Sequence, residues 1–147
     1  MTMHIRAKAG PYRFLIPAAS VLEVWTAGGP VAAQMEWRGM PRPYVDGCAL
    51  LGIEGTKAVE TLVAYGEGVD DPRLAILGLD EIAGAVPLTP AALRPFPAAL
   101  TRAYLLFDGI AVLPEEPQGL LRLRAGLDLP ALAGMSVPLN FPELSPT

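Results

Sequence analysis

Cysteine and histidine are the scarcest reactive residues of this chain, with one of each in 147 residues. Cys48 has no second cysteine to pair with, so an internal disulfide is excluded. We expect Cys48 to be a small core residue, because it precedes an apolar run and has no histidine nearby to activate a reactive thiol. The single His4 lies in the N-terminal segment, where we expect it to be solvated. Catalytic triads and phosphotransfer to histidine are therefore excluded.

Positive charge is also scarce. The formal net charge is -4 and the pI is near 4.9, and no basic stripe runs along the sequence. These values exclude the electrostatic footprint of a nucleic-acid-binding protein. The longest uncharged stretch, residues 129–142, is short and interrupted by prolines, which excludes a transmembrane helix. Because the N-terminus lacks the apolar run of a signal peptide, we expect a cytoplasmic protein without membrane insertion.

Long helix-forming segments are missing as well, since 16 prolines and 15 glycines interrupt a chain that is 52% hydrophobic. This composition and length predict one all-β domain built from short strands, closed or nearly closed into barrels. We assign residues 1–11 to a polar lead-in, residues 12–132 to the domain and residues 133–147 to a C-terminal tail. Predicted strands cover residues 12–17, 20–26, 42–45, 58–65, 73–79, 80–88, 104–107, 110–113 and 120–124.

Turn residues predict how several of these strands connect. The Asp108-Gly109 pair predicts a type I′ hairpin between residues 104–107 and 110–113, since such a turn needs two residues with positive φ. Residues 114–119 are predicted to form a solvent-exposed loop. A second hairpin is predicted between residues 58–65 and 73–79. Asp128 is placed to cap a short helical turn near the end of the domain.

Residues 36–47 have the composition of a binding site. Arg38 and Gly39 are followed by prolines and by Asp46, so a guanidinium lies on a stiff turn ahead of an apolar run. Because no nucleophile or base accompanies the arginine, this pattern indicates binding and not catalysis. A structural alternative is that Arg38 ties the loop to Asp46 through a bidentate pair. Trp37 is either a core residue or, if exposed, an anchor for a partner.

Two acidic pairs offer carboxylates that a metal ion could bind. They are Asp70-Asp71 and Glu115-Glu116. Both lie among prolines and glycines, where solvated turns are the usual structure. We therefore predict neither a metal ion nor a cofactor, and no enzymatic activity.

The order of these segments resembles the CheW-like domain family, the scaffold modules of bacterial chemosensory signalling. The resemblance spans residues 12–132. It is carried by residues 13–17 and 22–24, by Trp37, Arg38, Gly39, Pro43, Val45 and Asp46, by residues 80–88 and 93–97, and by the hairpin predicted at 104–113.

The resemblance implies a fold of two small SH3-like five-stranded barrels that share a core, with a few short helical turns. It also implies a non-enzymatic adaptor that couples chemoreceptors to a CheA-type histidine kinase. By this resemblance Arg38 takes part in receptor coupling, with Trp37 beside it, and Glu23 and Val24 lie at the rim of a partner surface. Four residues would shape the motif, namely Gly39, Pro43, Val45 and Asp46.

The chain departs from the family pattern between Val24 and Arg38, where the link is short and lacks a proline-containing helix. A barrel strand could therefore be missing. Two other functions stay open from the sequence, a small-molecule sensor with a pocket between barrels and a structural subunit that self-associates through a strand edge.

Overall fold

The computed structural model describes residues 2–53, 59–95 and 105–134. Within these ranges the chain forms eleven strands, two short helices and two 3-10 turns. The strands are β1 Thr2–Ala9, β2 Tyr12–Pro17, β3 Val21–Thr26, β4 Gln34–Trp37, β5 Met40–Asp46, β6 Thr61–Tyr65, β7 Ala75–Leu79, β8 Glu81–Leu88, β9 Leu93–Arg94, β10 Phe107–Leu113 and β11 Glu116–Leu123. The helices are α1 Gly47–Leu50 and α2 Leu129–Ala133, and the 3-10 turns are Ala18–Ser20 and Pro90–Ala92.

The strands belong to two curled sheets. Barrel 1 is the five-stranded sheet with the order β3-β6-β7-β5-β4. Barrel 2 is the six-stranded sheet with the order β8-β1-β2-β11-β10-β9, in which β9 is only two residues long. All pairs are antiparallel except β5 with β7 and β11 with β2. The predicted all-β fold of two small barrels is confirmed, and the short link before Arg38 has not removed a strand from barrel 1.

A shared apolar core lies where the two sheets face each other. Barrel 2 contributes Phe14 and Phe107, whose rings meet edge to face with centroids 5.9 Å apart. Barrel 1 contributes Val45, Val63 and Leu77 to the same cluster. Each barrel also encloses a smaller cluster of its own. Strands such as β2 and β7 are therefore buried on both faces, as the continuous apolar run at residues 73–79 predicts.

The prediction of an N-terminal lead-in is wrong for residues 2–9. They form β1, an inner strand of the barrel 2 sheet that pairs with β2 on one side and β8 on the other. His4 is fully buried and not solvated. The sequence did not indicate this strand, because His4, Arg6 and Lys8 alternate with the residues that face the shared core, such as Ala7. Their face of the strand is polar, whereas a strand buried on both faces is expected to be apolar.

The hairpin predicted at Asp108-Gly109 is also wrong. Strand β10 continues through this pair, and its register with β11 shifts there. A Cβ at Gly109 would lie 3.1 Å from the carbonyl oxygen of Arg94, so this glycine permits the close approach of β9. The chain reverses at residues 114–115, and the predicted solvent loop is instead the start of β11, where Glu116 is buried. Tyr104, at the start of the prediction, lies outside the described residues.

Other local predictions are confirmed. Strands β6 and β7 form the predicted antiparallel pair. The amide of Ala131 donates to Asp128 Oδ1 at 3.3 Å, so Asp128 caps α2 as expected. Cys48 is partly buried and packs against the shared core. The predicted tail begins with Ala133, the last residue of α2, and its residues 135–147 lie outside the described ranges.

Candidate functional site

Arg38 and Gly39 form a tight turn between β4 and β5. Trp37 pairs with Met40 across the hairpin, and the two turn residues have φ values of 50° and 79°. Two positive φ values in a two-residue loop are the signature of a type I′ turn. Gly39 adopts this conformation freely, whereas an arginine there is strained by about 1–2 kcal/mol. Arg38 is the one residue other than glycine with a positive φ in the described ranges.

The Arg38 side chain is held by Trp37 and Glu23. Its guanidinium carbon lies 4.7 Å from the centroid of the Trp37 ring, within the range of a cation–π contact. The indole Nε1 of Trp37 donates to Glu23 Oε1 at 3.0 Å, and Arg38 Nε lies 3.9 Å from the same oxygen. Because β3 and β4 are the two edges of the sheet, the Trp37–Glu23 bond also joins the open sides of barrel 1.

This part of the surface combines charge with apolar side chains. The Arg38 side chain is 54% exposed and that of Glu23 is 45% exposed. An ion pair this open and this long contributes little, so the guanidinium keeps most of its capacity for another partner. Val24 and Met40 are exposed apolar residues on the strands that carry the pair. The geometry therefore brings together Arg38, Trp37 and Glu23, with Met40 opposite Trp37 in the hairpin. Val24 follows Glu23 on β3, so its side chain is on the other face of that edge strand.

The remaining motif residues lie along β5, away from the turn. Asp46 ends the strand and accepts a hydrogen bond from the amide of Cys48 at 3.0 Å, which caps α1. The structural alternative, a tie between Arg38 and Asp46, is not formed, since Arg38 lies against Glu23. Val45 is buried in the shared core. Pro43 is opposite Gln34 of β4, whereas the pairing of β5 with β7 begins one residue later, at Tyr44. The proline, which has no amide hydrogen to donate, therefore interrupts no hydrogen bond between β5 and β7.

Arg42 is a residue that the sequence analysis missed. It is 9% exposed, and the carboxylate of Asp71 is near enough for the two charges to interact. Its Nη1 donates to the carbonyl oxygen of Asp71 and its Nη2 to that of Val69, both at 3.0 Å. The buried cation thus holds the β6–β7 loop by its backbone. Local sequence carries no signal for this contact, because the acceptors are main-chain atoms nearly thirty residues away.

A charged cleft of about 80 Å³ opens on barrel 2. Its lining includes Arg13 and Glu116, which form an ion pair at 2.7 Å, and Arg6, which pairs with Glu115 outside the cleft. Arg6 and Arg13 thus form ion pairs with glutamates of the same protein. The volume is far below the roughly 300–1,000 Å³ of ligand pockets, so this cleft does not favour the small-molecule sensor.

The acidic pairs do not form a metal site in the part of the chain that is described. No group of three or more histidine, cysteine, aspartate or glutamate residues there is placed to hold an ion. Asp71 instead accepts from the amides of Glu67 and Arg73, and these hydrogen bonds hold the pKa of its carboxyl below the ordinary value. Within the same ranges, no helix is long and apolar enough to cross a membrane.

Comparison with known proteins identifies the fold. No protein-family model matches the sequence, and no curated protein matches it. Among solved structures, the chain is similar to the scaffolding protein TtCheW from Thermoanaerobacter tengcongensis, with a TM-score of 0.69 and 16% sequence identity. The match covers 95% of this chain and 99% of that protein. The chain therefore has the CheW-like fold.

Proposed function

We propose that this chain is a non-enzymatic adaptor that couples chemoreceptors to a CheA-type histidine kinase. The observation that carries the proposal is the Arg38 turn, a strained arginine held on a tryptophan at the surface of a CheW-like fold. The scaffold role is that of TtCheW, which is similar in fold. This function would place the protein in the cytoplasm, where kinase and receptor tips meet.

The surroundings of Arg38 favour binding over chemistry. Its neighbours are an aromatic ring, one carboxylate and apolar side chains. A guanidinium stacked on a ring and fixed by a tight turn loses little freedom when it meets a partner. Met40 adds apolar area of the kind that becomes buried at the centre of an interface, and the exposed Val24 adds more on the opposite face of the edge strand β3. We therefore assign partner contact to Arg38, Glu23 and Val24, with Trp37 as the support beneath them.

The proposal is tested by titrating the full chain with a purified kinase regulatory domain and, separately, with a receptor tip from the same organism. We expect at least one of them to bind. Arg38→Ala should weaken that binding at least tenfold, because a pre-organised cation at an interface is a frequent hot spot. Arg94→Ala is the matched control, since Arg94 is an exposed arginine on barrel 2. The adaptor function fails if neither partner binds the wild-type chain.

One observation favours a second candidate, self-association through a strand edge. Strand β8 is an edge of barrel 2, and Ala83, Gly84 and Ala85 on it are exposed and uncharged. An uncharged open edge can pair with another strand. Light scattering over a concentration series distinguishes the two functions, because a self-assembling subunit gains mass with concentration and a monomeric adaptor does not.

A further inference from the structure

The β6–β7 loop, residues 66–74, lies at the same end of barrel 1 as the Arg38 turn. Strands β5 and β7 are parallel, with Tyr44 opposite Ile76. The loop enters β7 at the end where the turn enters β5, so both connections project from one end of the barrel. Arg42 joins them, because it lies on β5 two residues after Met40 and donates to two carbonyls of the loop.

The loop is fixed from inside as well as by Arg42. Asp71 Oδ2 accepts from the Glu67 amide at 2.8 Å, and its Oδ1 accepts from the Arg73 amide at 2.9 Å. The Asp71 amide donates to the Gly68 carbonyl at 3.1 Å. A loop with this many internal hydrogen bonds is already ordered before a partner arrives, which lowers the entropy cost of binding.

Val69 is held outward at the tip of this loop. It is 46% exposed, although the loop that carries it is anchored through the Val69 carbonyl to a buried arginine. Met40, near the Arg38 turn, is 55% exposed. Glu67 and Asp70 flank Val69 and are both exposed. The end of barrel 1 thus presents two apolar side chains, with carboxylates around Val69.

We propose that Val69 and Met40 extend the Arg38 surface into one docking surface for a protein segment that has an apolar patch bordered by lysine or arginine. The basic border would face Glu67 and Asp70, with which it is complementary in charge, and not Arg38. Arg42 is a positioning residue that fixes the loop from within and does not touch the partner. This inference rests on the proposed adaptor function and names the chemistry of its partner.

A pair of valine substitutions tests the surface. Val69→Lys places a cation against the basic border and should weaken binding to the kinase domain or receptor tip at least tenfold. Val112→Lys is the matched control, because Val112 is a 40% exposed valine on β10 of barrel 2. The control should change binding less than twofold. Both variants should keep a urea midpoint close to that of the wild type, since both valines lie at the surface, where a lysine can extend its ammonium group into water.

The outcomes separate this inference from the function on which it rests. If Arg38→Ala weakens binding and Val69→Lys does not, the docking surface is overturned and the adaptor function stands. If Val69→Lys and Val112→Lys weaken binding equally, the effect is not local to the loop and the surface is likewise overturned. If the wild-type chain binds neither partner, the adaptor function and this inference fall together.

Arg42 is tested by combining binding with amide hydrogen exchange. Arg42→Met removes both donors to the loop, and we expect faster exchange of the Glu67 and Asp71 amides together with binding at least tenfold weaker. Arg42→Lys keeps a cation that can reach one carbonyl. It should recover part of the amide protection and part of the binding affinity. Faster exchange without any loss of affinity would show that the fixed loop does not matter for docking. If amide exchange in Arg42→Met equals that of the wild type, Arg42 does not hold the β6–β7 loop.

Discussion

The two barrels share a fold but use their charged residues differently. In barrel 2 the charges bind one another. Arg122 forms a two-point ion pair with Asp108 at 2.8 and 3.0 Å, and Arg13 pairs with the buried Glu116. In barrel 1 the side-chain hydrogen bonds that the buried cation Arg42 makes to described residues go to backbone carbonyls.

This difference shows why a count of surface arginines does not locate a site. Arg13 and Arg122 of barrel 2 are paired with carboxylates of the same sheet, so they stabilise the fold and leave little for a partner. Among the described residues, Arg38 of barrel 1 is held by an exposed carboxylate at 3.9 Å and by an aromatic ring. Barrel 1 therefore carries the candidate surface, and barrel 2 supports it through the shared core.

The seam between the barrels offers the strongest test of that support. Tyr65 of β6 is fully buried, donates to the Arg124 carbonyl at 2.5 Å and accepts from the Leu127 amide at 3.1 Å. Tyr65→Phe removes a partner from both backbone groups, so we expect the free energy of unfolding to fall by about 1–3 kcal/mol. Urea unfolding measures this change. A lower slope with denaturant would show that the barrels no longer unfold together.

Tyr44→Phe is the matched control for that substitution. The Tyr44 hydroxyl is buried in barrel 1 and has no hydrogen-bond partner among the described residues. Burial is the main reason that its pKa is raised to about 12, so the group is neutral at ordinary pH. Removing it should leave the free energy of unfolding unchanged or slightly higher. Equal losses for Tyr65→Phe and Tyr44→Phe would contradict the role of the seam hydrogen bonds.

The packing of Tyr44 against Gly78 in barrel 1 leaves no space for a larger side chain at residue 78. A Cβ at Gly78 would lie 2.8 Å from Tyr44 Cζ and still closer to the hydroxyl. We expect Gly78→Ala to lower the free energy of unfolding by about 1–3 kcal/mol through overpacking. The control is Gly68→Ala, where a Cβ meets no atom within 4 Å. If both glycine variants unfold at the wild-type urea midpoint, the packing of Tyr44 on Gly78 is wrong.

His4 gives barrel 2 a pH dependence just below neutral pH. Its burial, assisted by nearby Arg122, lowers its pKa below the ordinary value of 6.5, although the Thr2 carbonyl and Asp108 oppose the shift. The unfolded chain then binds a proton that the folded chain does not, so stability is full above pH 6.5 and falls as the pH drops toward the folded pKa. Urea midpoints at pH 7.5 and 5.5 measure this loss.

His4→Gln supplies the control, because His4 is the only histidine in the chain. The variant should lose the pH dependence between these two values, whatever its stability at pH 7.5. A slope as steep as that of the wild type would assign the effect to carboxylates and contradict the role of His4.

The smallest effect is expected at the Arg38 turn. Arg38→Gly relieves the positive φ but loses the stacking on Trp37, and these terms of about 1 kcal/mol each offset one another. Arg38→Ala keeps the strain and loses the stacking, so we expect it to unfold about 1 kcal/mol more easily than Arg38→Gly. Thermal or urea unfolding compares them. Identical stabilities would show that the turn is not strained.

Apolar runs and turn residues predicted much of barrel 1. The run at residues 73–79 predicted a strand buried on both sides, and Gly39 predicted the turn that precedes β5. These signals are local, because each depends on a few consecutive side chains and on the φ values that glycine allows. The resemblance of the ordered segments to CheW-like domains supplied the pairing of barrels that periodicity alone did not.

What the sequence determined by itself was the class of the molecule, an acidic all-β chain with a stiff arginine turn, since composition and local backbone preference decide such features. The tertiary structure alone decided which polar residues are internal. It made β1 an inner strand of the barrel 2 sheet although this strand carries His4, Arg6 and Lys8, and it joined Arg42 to the distant β6–β7 loop. A polar side chain is buried only where another strand brings it a partner or encloses it, and that neighbour is set by long-range strand pairing.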